Sequence, residues 1–292
     1  MNNDEILQIV GQGNFPVAVG GHDSDESDLN CQIYNILVFD GGDANDQIIP
    51  NNSTTVKISH ENLSETHSEH LLTLSNLEII RDDEWQLKIF LSQIQEKKES
   101  LFSTSVKNAL IDSQFALSKA KTAMQQDDPF TSCWLKCSAL SLIDSVLLQN
   151  QIIPKPTESL SYMRNLKEKN TRQFSDKIIS ETGIERATKS LLTRMLKSSI
   201  GFSDMVEQNN NSIIIEKRAN YLIRNSLLSD CYLFLNYQNR KNFNKIKNSL
   251  NKNSDKIHVL KTAFDLTSTT SEFSKSIRSM SDITNSLLTS KH

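Results

Sequence analysis

The sequence is poor in residues that fix structure by chemistry: 292 residues include 4 cysteines, 5 prolines, 8 glycines and 2 tryptophans. Cys31, Cys133, Cys137 and Cys231 are too few and too scattered for a disulfide framework. Cys133 and Cys137, four apart, share a helical face, but no nearby Cys or His spacing supplies two more zinc ligands. Reduced, mostly buried thiols are expected, and with them a cytoplasmic compartment. The hydrophobic share is 37%, low against the roughly 45–50% apolar content of ordinary globular domains, so a thin core and long polar faces are expected. No run approaches the ~18–20 apolar residues of a membrane span. Met1-Asn2-Asn3-Asp4-Glu5 lacks the basic-then-apolar order of a signal peptide, so no membrane partner is expected. There is no Walker P-loop and no Gly-x-Ser-x-Gly. Gly11-Gln12-Gly13 precedes its strand, the wrong side for a dinucleotide fingerprint.

What is present is uneven. Residues 1–100 hold 5 Lys/Arg against 18 Asp/Glu, a net of −13; residues 101–292 hold 27 against 17, a net of +10, and together they give −3. Six of the eight glycines also fall in the first part. This composition places a domain boundary near residue 100.

The first part reads as mixed α and β. Ile6, Leu7 and Val10 mark a short amphipathic helix over Asn3–Val10, broken at Gly11. Phe15–Val19 is a short apolar strand ending at Gly20-Gly21, and Ile33–Phe39 is the strongest strand pattern in the chain. Thr54–Ser59 alternates with period two. Leu71, Leu72, Leu74 and Leu77 predict a helix. Ile79-Ile80 leads to Arg81-Asp82-Asp83-Glu84 and a second helix through Leu87, Leu91 and Ile94.

Beyond residue 101 the pattern is helical. Val106, Leu110, Ser113, Leu117, Ala120 and Met124 form an amphipathic seam, and 134–148 is apolar on nearly every side, the mark of a central bundle helix. Ile152-Ile153-Pro154-Lys155-Pro156 stops it. Further helices are predicted over 157–168, 175–207 and 214–238. The tail, 266–292, is rich in Ser and Thr. Phe273, Ile277, Met280, Ile283 and Leu287 keep helical spacing there, which fits either a docking helix or disorder. The expected architecture is therefore α+β: a small mixed-sheet domain over 1–100, an all-α bundle over 101–265, and the tail.

One segment carries chemistry. Residues 17–40 read VAVGGHDSDESDLNCQIYNILVFD. A turn without Cβ atoms lets backbone N–H groups approach phosphate. Two carboxylates at i and i+2 of a strand point to one side and can share divalent ions, which activate a hydroxyl and neutralise pyrophosphate. This strand, Gly-Gly turn, polar loop, Ser-Asp-x-Asn and second strand resemble the nucleotidyltransferase superfamily related to DNA polymerase β. There a Gly-Ser pair lies near the triphosphate, a Ser-Asp-x-Asp pair holds two Mg²⁺ ions, and a third carboxylate sits on the next strand. Ile79–Leu87 is similar to the strand, Asp, turn and helix that close many such domains. Trp134–Ala139, continuing to Pro154-Lys155-Pro156 and Leu160, resembles the HEPN-related helical substrate domain that often follows them.

The resemblance implies Gly20, Gly21 and Ser27 as nucleotide-binding residues, and Asp28 with Asn30 as the metal-binding and catalytic pair. The implied cofactors are Mg²⁺ or Mn²⁺ and an NTP. The departures are specific. Gly21 replaces the serine, and Asn30 replaces the second carboxylate and brings no charge. The third position falls near Lys57–Glu61, where no acid is unambiguous. Asp23, Asp25, Glu26 and Asp28 equally suit a solvated acidic loop. The implied function is nucleotidyl transfer to an unknown acceptor, weakened by these changes. The alternative is a non-catalytic nucleotide-binding, RNA-binding or protein-interaction module.

Other constellations are plainer. His60, His67 and His70 lie among Glu61, Glu65 and Glu69, where a solvated helix start accounts for them as well as zinc does. No bundle Arg is followed about five residues later by the His of HEPN ribonucleases. Residues 237–256 hold Arg240, Lys241, Lys245, Lys247, Lys252 and Lys256 with Tyr237 and Phe243 interleaved, which suits RNA or a soluble surface. The basic part can also pair with the acidic part, within one chain or in a homo-oligomer.

Overall fold

The computed structural model describes residues 1–11, 13–20, 33–42, 44–51, 54–166, 169–207, 210–248, 256–266 and 270–289. The protein is α+β, a small mixed sheet followed by many helices. It forms two compact units, Met1–Thr104 with Asn209–Ile214 and Ser105–Gln208 with Ile215–His292.

In the first unit, α1 (Asn3–Val10) starts at a capping box. The Asn2 side chain accepts from the Glu5 N–H at 2.8 Å, and the Glu5 carboxylate accepts from the Asn2 N–H at 3.0 Å. The strands are β1 (Val17–Gly20), β2 (Ile33–Val38), β3 (Gln47–Asn51), β4 (Thr54–His60) and β5 (Leu77–Arg81). Their order is β3-β4-β2-β1-β5; β2 and β4 run parallel and the other neighbours antiparallel. Period two sorts the side chains. Val17, Ile36, Val38, Val56 and Ile58 join Ile6 of α1 in one cluster. Ala18, Leu37 and Phe39 join a second, with Leu74 of α2 (Ser68–Leu74) and Leu87, Phe90 and Ile94 of α3 (Gln86–Glu96). The sheet thus has a helix layer on each face, which explains why β2 reads as a continuous apolar run rather than an alternating one. β3 had no prediction from the sequence. It is short, carries Pro50, and has one neighbour, β4, as proline in a sheet requires.

The second unit contains α4 (Lys98–Gln125) from Ser105 on, then α5 (Thr131–Gln149), α6 (Ser159–Arg164), α7 (Lys169–Glu181), α8 (Lys189–Val206), α9 (Asn211–Arg224) from Ile215 on, α10 (Leu228–Ile246), α11 (Ile257–Ala263) and α12 (Thr270–Thr289). All of α5 except Asp144 and Gln149 is buried, as its all-round apolarity predicts. By length and composition it matches a membrane span, but 94% of that window is buried in the core. Two predicted helices are each split. Residues 175–207 break after α7, where Gly183 adopts φ +74° and a 3₁₀ turn covers Ile184–Arg186. The stretch 214–238 breaks between α9 and α10, where Ser226 adopts φ 60°. In the tail, α12 buries Met280, Ile283 and Leu287 and packs on α5 and α7, so helical spacing wins over polar composition.

Two partly buried polar knots tie these helices. Lys136 of α5 donates to the Thr182 carbonyl and, at 2.7 Å, to the Tyr232 hydroxyl. Tyr232 donates to Asp265 at 3.0 Å, and Asp265 also pairs with Arg186 at 3.0 Å. In the other knot, Asp144 accepts from Arg240 and from the Tyr237 hydroxyl, each at 2.6 Å. Burial holds the Tyr237 phenol well above its usual range.

Candidate functional site

The site marked by the sequence begins at the end of β1. Gly20 has φ +128°, and a Cβ there would stand 3.1 Å from the Asn76 carbonyl oxygen and 3.4 Å from the Leu77 side chain. Backbone conformation and close packing both require glycine. The Gly20 carbonyl accepts from the Asn35 side chain at 3.1 Å. Asn35 stands on β2, 6% exposed, and its Oδ1 is buried without a hydrogen-bond partner among the described residues.

On β4, Lys57 is paired in parallel register with Asn35. The same face of β4 carries Thr55, fully buried with a hydroxyl that has no partner among the described residues, and Ser59, also buried. Lys57 ion-pairs with Asp46 at 3.4 Å. Strand adjacency therefore brings together Gly20, Asn35, Thr55 and Lys57: a glycine-only turn, an amide, a hydroxyl and a cation.

Gly20 alone among the nucleotide and metal residues expected from the sequence is placed here. Gly21, Ser27, Asp28 and Asn30 lie outside the described residues. The positions weighed for a third carboxylate are placed, and none supplies one to this corner. Lys57 is a cation held by Asp46, Ser59 is a buried hydroxyl, and Glu61 binds His70 at 2.7 Å. β1, β2 and β4 carry no Asp or Glu at all. These strand positions therefore supply no third carboxylate, and the expected metal pair, Asp28 with Asn30, lies outside the described residues.

The histidines resolve into separate pairs. His60 meets Asp40 at 2.7 Å, His67 meets Glu65 at 2.6 Å, and His70 meets Glu61. The Glu61 hydrogen bond raises the His70 pKa, against burial and the nearby Lys57 charge. The His67 backbone N–H pulls Glu65 down to about 2. Among the described residues no group of three His, Cys, Asp or Glu is placed to hold a metal. Cys133, Cys137 and Cys231 are free and buried, and burial raises each thiol, so they are poor nucleophiles.

The basic stretch after residue 237 is also rearranged by packing. Tyr237 is 6% and Phe243 0% exposed, so neither ring can stack on a base. Arg240 is committed to Asp144, and Lys245 to Glu207. Asn35, which sequence reading passed over, did leave a signal: it is the one amide inside the apolar run Ile33–Phe39.

No family model and no curated protein matches the chain. Among solved structures it is similar to a nucleotidyltransferase-like protein from Exiguobacterium sibiricum, at 10% identity, over 75% of this chain and 89% of that one, with a TM-score of 0.34. A likeness that loose carries neither fold nor activity from that protein to this one.

Proposed function

We propose that the sheet unit is a divergent nucleotidyltransferase-superfamily domain that binds a nucleoside triphosphate and transfers its nucleotidyl group weakly or not at all. The helical unit is its HEPN-related substrate domain. The observation that carries this reading is Gly20, held in a glycine-only conformation at the end of β1, with its carbonyl fastened to Asn35 on the neighbouring strand. The space beside Gly20 is taken by Asn76 and Leu77, so the approach of phosphate falls to the backbone that follows, where the motif residues Gly21, Ser27, Asp28 and Asn30 come next in sequence. The loss of transfer rests on Asn30 and on strands without acids, with Lys57 facing Asn35.

The test restores the missing charge. Asn30→Asp should raise nucleotide affinity in Mg²⁺ or Mn²⁺ while leaving metal-free affinity unchanged, and Asp28→Ala should remove any metal-dependent part. An unchanged affinity in metal for Asn30→Asp contradicts a metal site at this motif. The charge asymmetry, −13 over residues 1–100 against +10 over 101–292, favours a second reading, a non-catalytic interaction module whose acidic and basic parts pair between copies. Salt-sensitive self-association in light scattering, without nucleotide binding, supports that instead.

A further inference from the structure

Packing removes Tyr237 and Phe243 from the surface, yet it leaves another aromatic ring exposed among lysines. Phe115 of α4 is 42% exposed, and Ile111, one turn earlier, is 64% exposed. The Phe115 ring stands edge-to-face on Trp134, centroids 5.9 Å apart at 81°, and Trp134 stands likewise on the fully buried Phe243 at 5.0 Å and 77°. Phe115 is thus the outer end of an aromatic column rooted in the core, a rigid ring rather than a mobile one. Lys119, from the next turn of α4, and Lys247, just after α10, each hold an ammonium over this ring, 5.5 Å from its centroid, so a base that stacks on Phe115 displaces an ammonium from the ring face. Neither ammonium has a carboxylate partner among the described residues. From residue 105 to the end of α4 the sole acid is Asp112, against Lys107, Lys119 and Lys121.

We propose that this surface binds single-stranded nucleic acid, with one base stacked on Phe115 and the adjoining phosphates held by Lys119 and Lys247. A rigid exposed ring offers any base a π-face, and the two flexible ammoniums, which have no carboxylate partner among the described residues, can leave the ring for phosphates on either side. A duplex keeps its bases stacked inside and gains only the charge contacts. An acidic peptide likewise uses the lysines but not the ring. The inference is independent of the nucleotide reading, since every residue in it belongs to the helical unit.

The test is fluorescence anisotropy of the full chain with a labelled single-stranded RNA of about twelve nucleotides. Quenching of Trp134 is followed in a Trp85→Phe background. Phe115→Leu keeps the contact with Trp134 but removes the aromatic face, and should weaken binding on the order of tenfold. Phe115→Tyr should retain it. Lys119→Gln and Lys247→Gln should each flatten the slope of log affinity against log salt by about 0.7. Circular dichroism checks that each variant folds. Absence of binding at low salt, equal affinity for Phe115→Leu and the parent, or equal displacement by polyglutamate would each overturn the proposal. So would displacement of the RNA by ATP, which would place it at the sheet unit. Loss of ATP binding with RNA binding intact overturns only the nucleotide reading.

Discussion

Replacing Lys136 by methionine should flatten the rise of the helical unit's stability with pH above neutrality. Lys136 is 7% exposed inside α5, bound to the Thr182 carbonyl and the Tyr232 hydroxyl. Burial, assisted by the Arg186 charge and opposed by Asp265, brings its ammonium from the ordinary 10.5 down to about 7. A lowered folded-state value means that the unfolded chain holds the proton more tightly. Between pH 7 and 10.5 the unfolded state therefore binds more protons, and stability climbs with pH. The full displacement corresponds to roughly 4–5 kcal/mol of destabilisation below neutrality, and about 1.5 kcal/mol of it is relieved between about pH 7 and 8.5. The neutral amine keeps an N–H for Thr182, so the knot survives deprotonation. Urea unfolding followed by Trp134 fluorescence, in a Trp85→Phe background, measures this at both pH values. The parent should gain about 1.5 kcal/mol relative to Lys136→Met over that window. Equal pH dependence in the two proteins refutes a charge-burial account of Lys136.

Three further outcomes follow from single contacts. Gly20→Ala places a methyl 3.1 Å from the Asn76 carbonyl at φ +128°, and should destabilise the sheet unit by about 1–3 kcal/mol in thermal unfolding; an unchanged melting temperature argues against a glycine-only turn. Asp144→Ala strands the Arg240 guanidinium and the Tyr237 hydroxyl, at about 3–5 kcal/mol in denaturant titration; a change below about 1 kcal/mol means the arginine finds water. Glu61→Gln should return the His70 pKa towards 6.5, read from imidazole NMR shifts against pH. Because Glu61 raises that pKa, the pair stabilises the fold below pH 6.5 and the contribution fades as pH rises through the folded-state value; an unmoved titration removes the pair.

Sequence periodicity carried the elements whose core contacts repeat. The parts of β2 and β4, the seam of α4 and the buried α5 were all legible because one face, or every face, meets apolar neighbours. β3 was not, since a five-residue edge strand with a proline leaves little pattern. The breaks at Gly183 and Ser226 were hidden because helical spacing on both sides continues through them. The candidate site was partly legible. Gly20 is marked by its Gly-Gly pair, but the facing of Asn35 and Lys57 depends on strand order and register, which no local pattern encodes. Tyr237 and Phe243 misled for the same reason: a ring among lysines reads as surface until α10 is packed. Phe115 escaped notice because its lysine partner at 247 comes from a different helix region.

The most direct test of a retained nucleotide site with weakened transfer is calorimetric titration of ATP and the other NTPs into the protein, with and without Mg²⁺ or Mn²⁺. The account predicts nucleotide binding to which metal adds little, because Asn30 brings no charge to the metal pair. No heat of binding at millimolar nucleotide contradicts it, leaving the helical unit and the charge asymmetry as the parts that act.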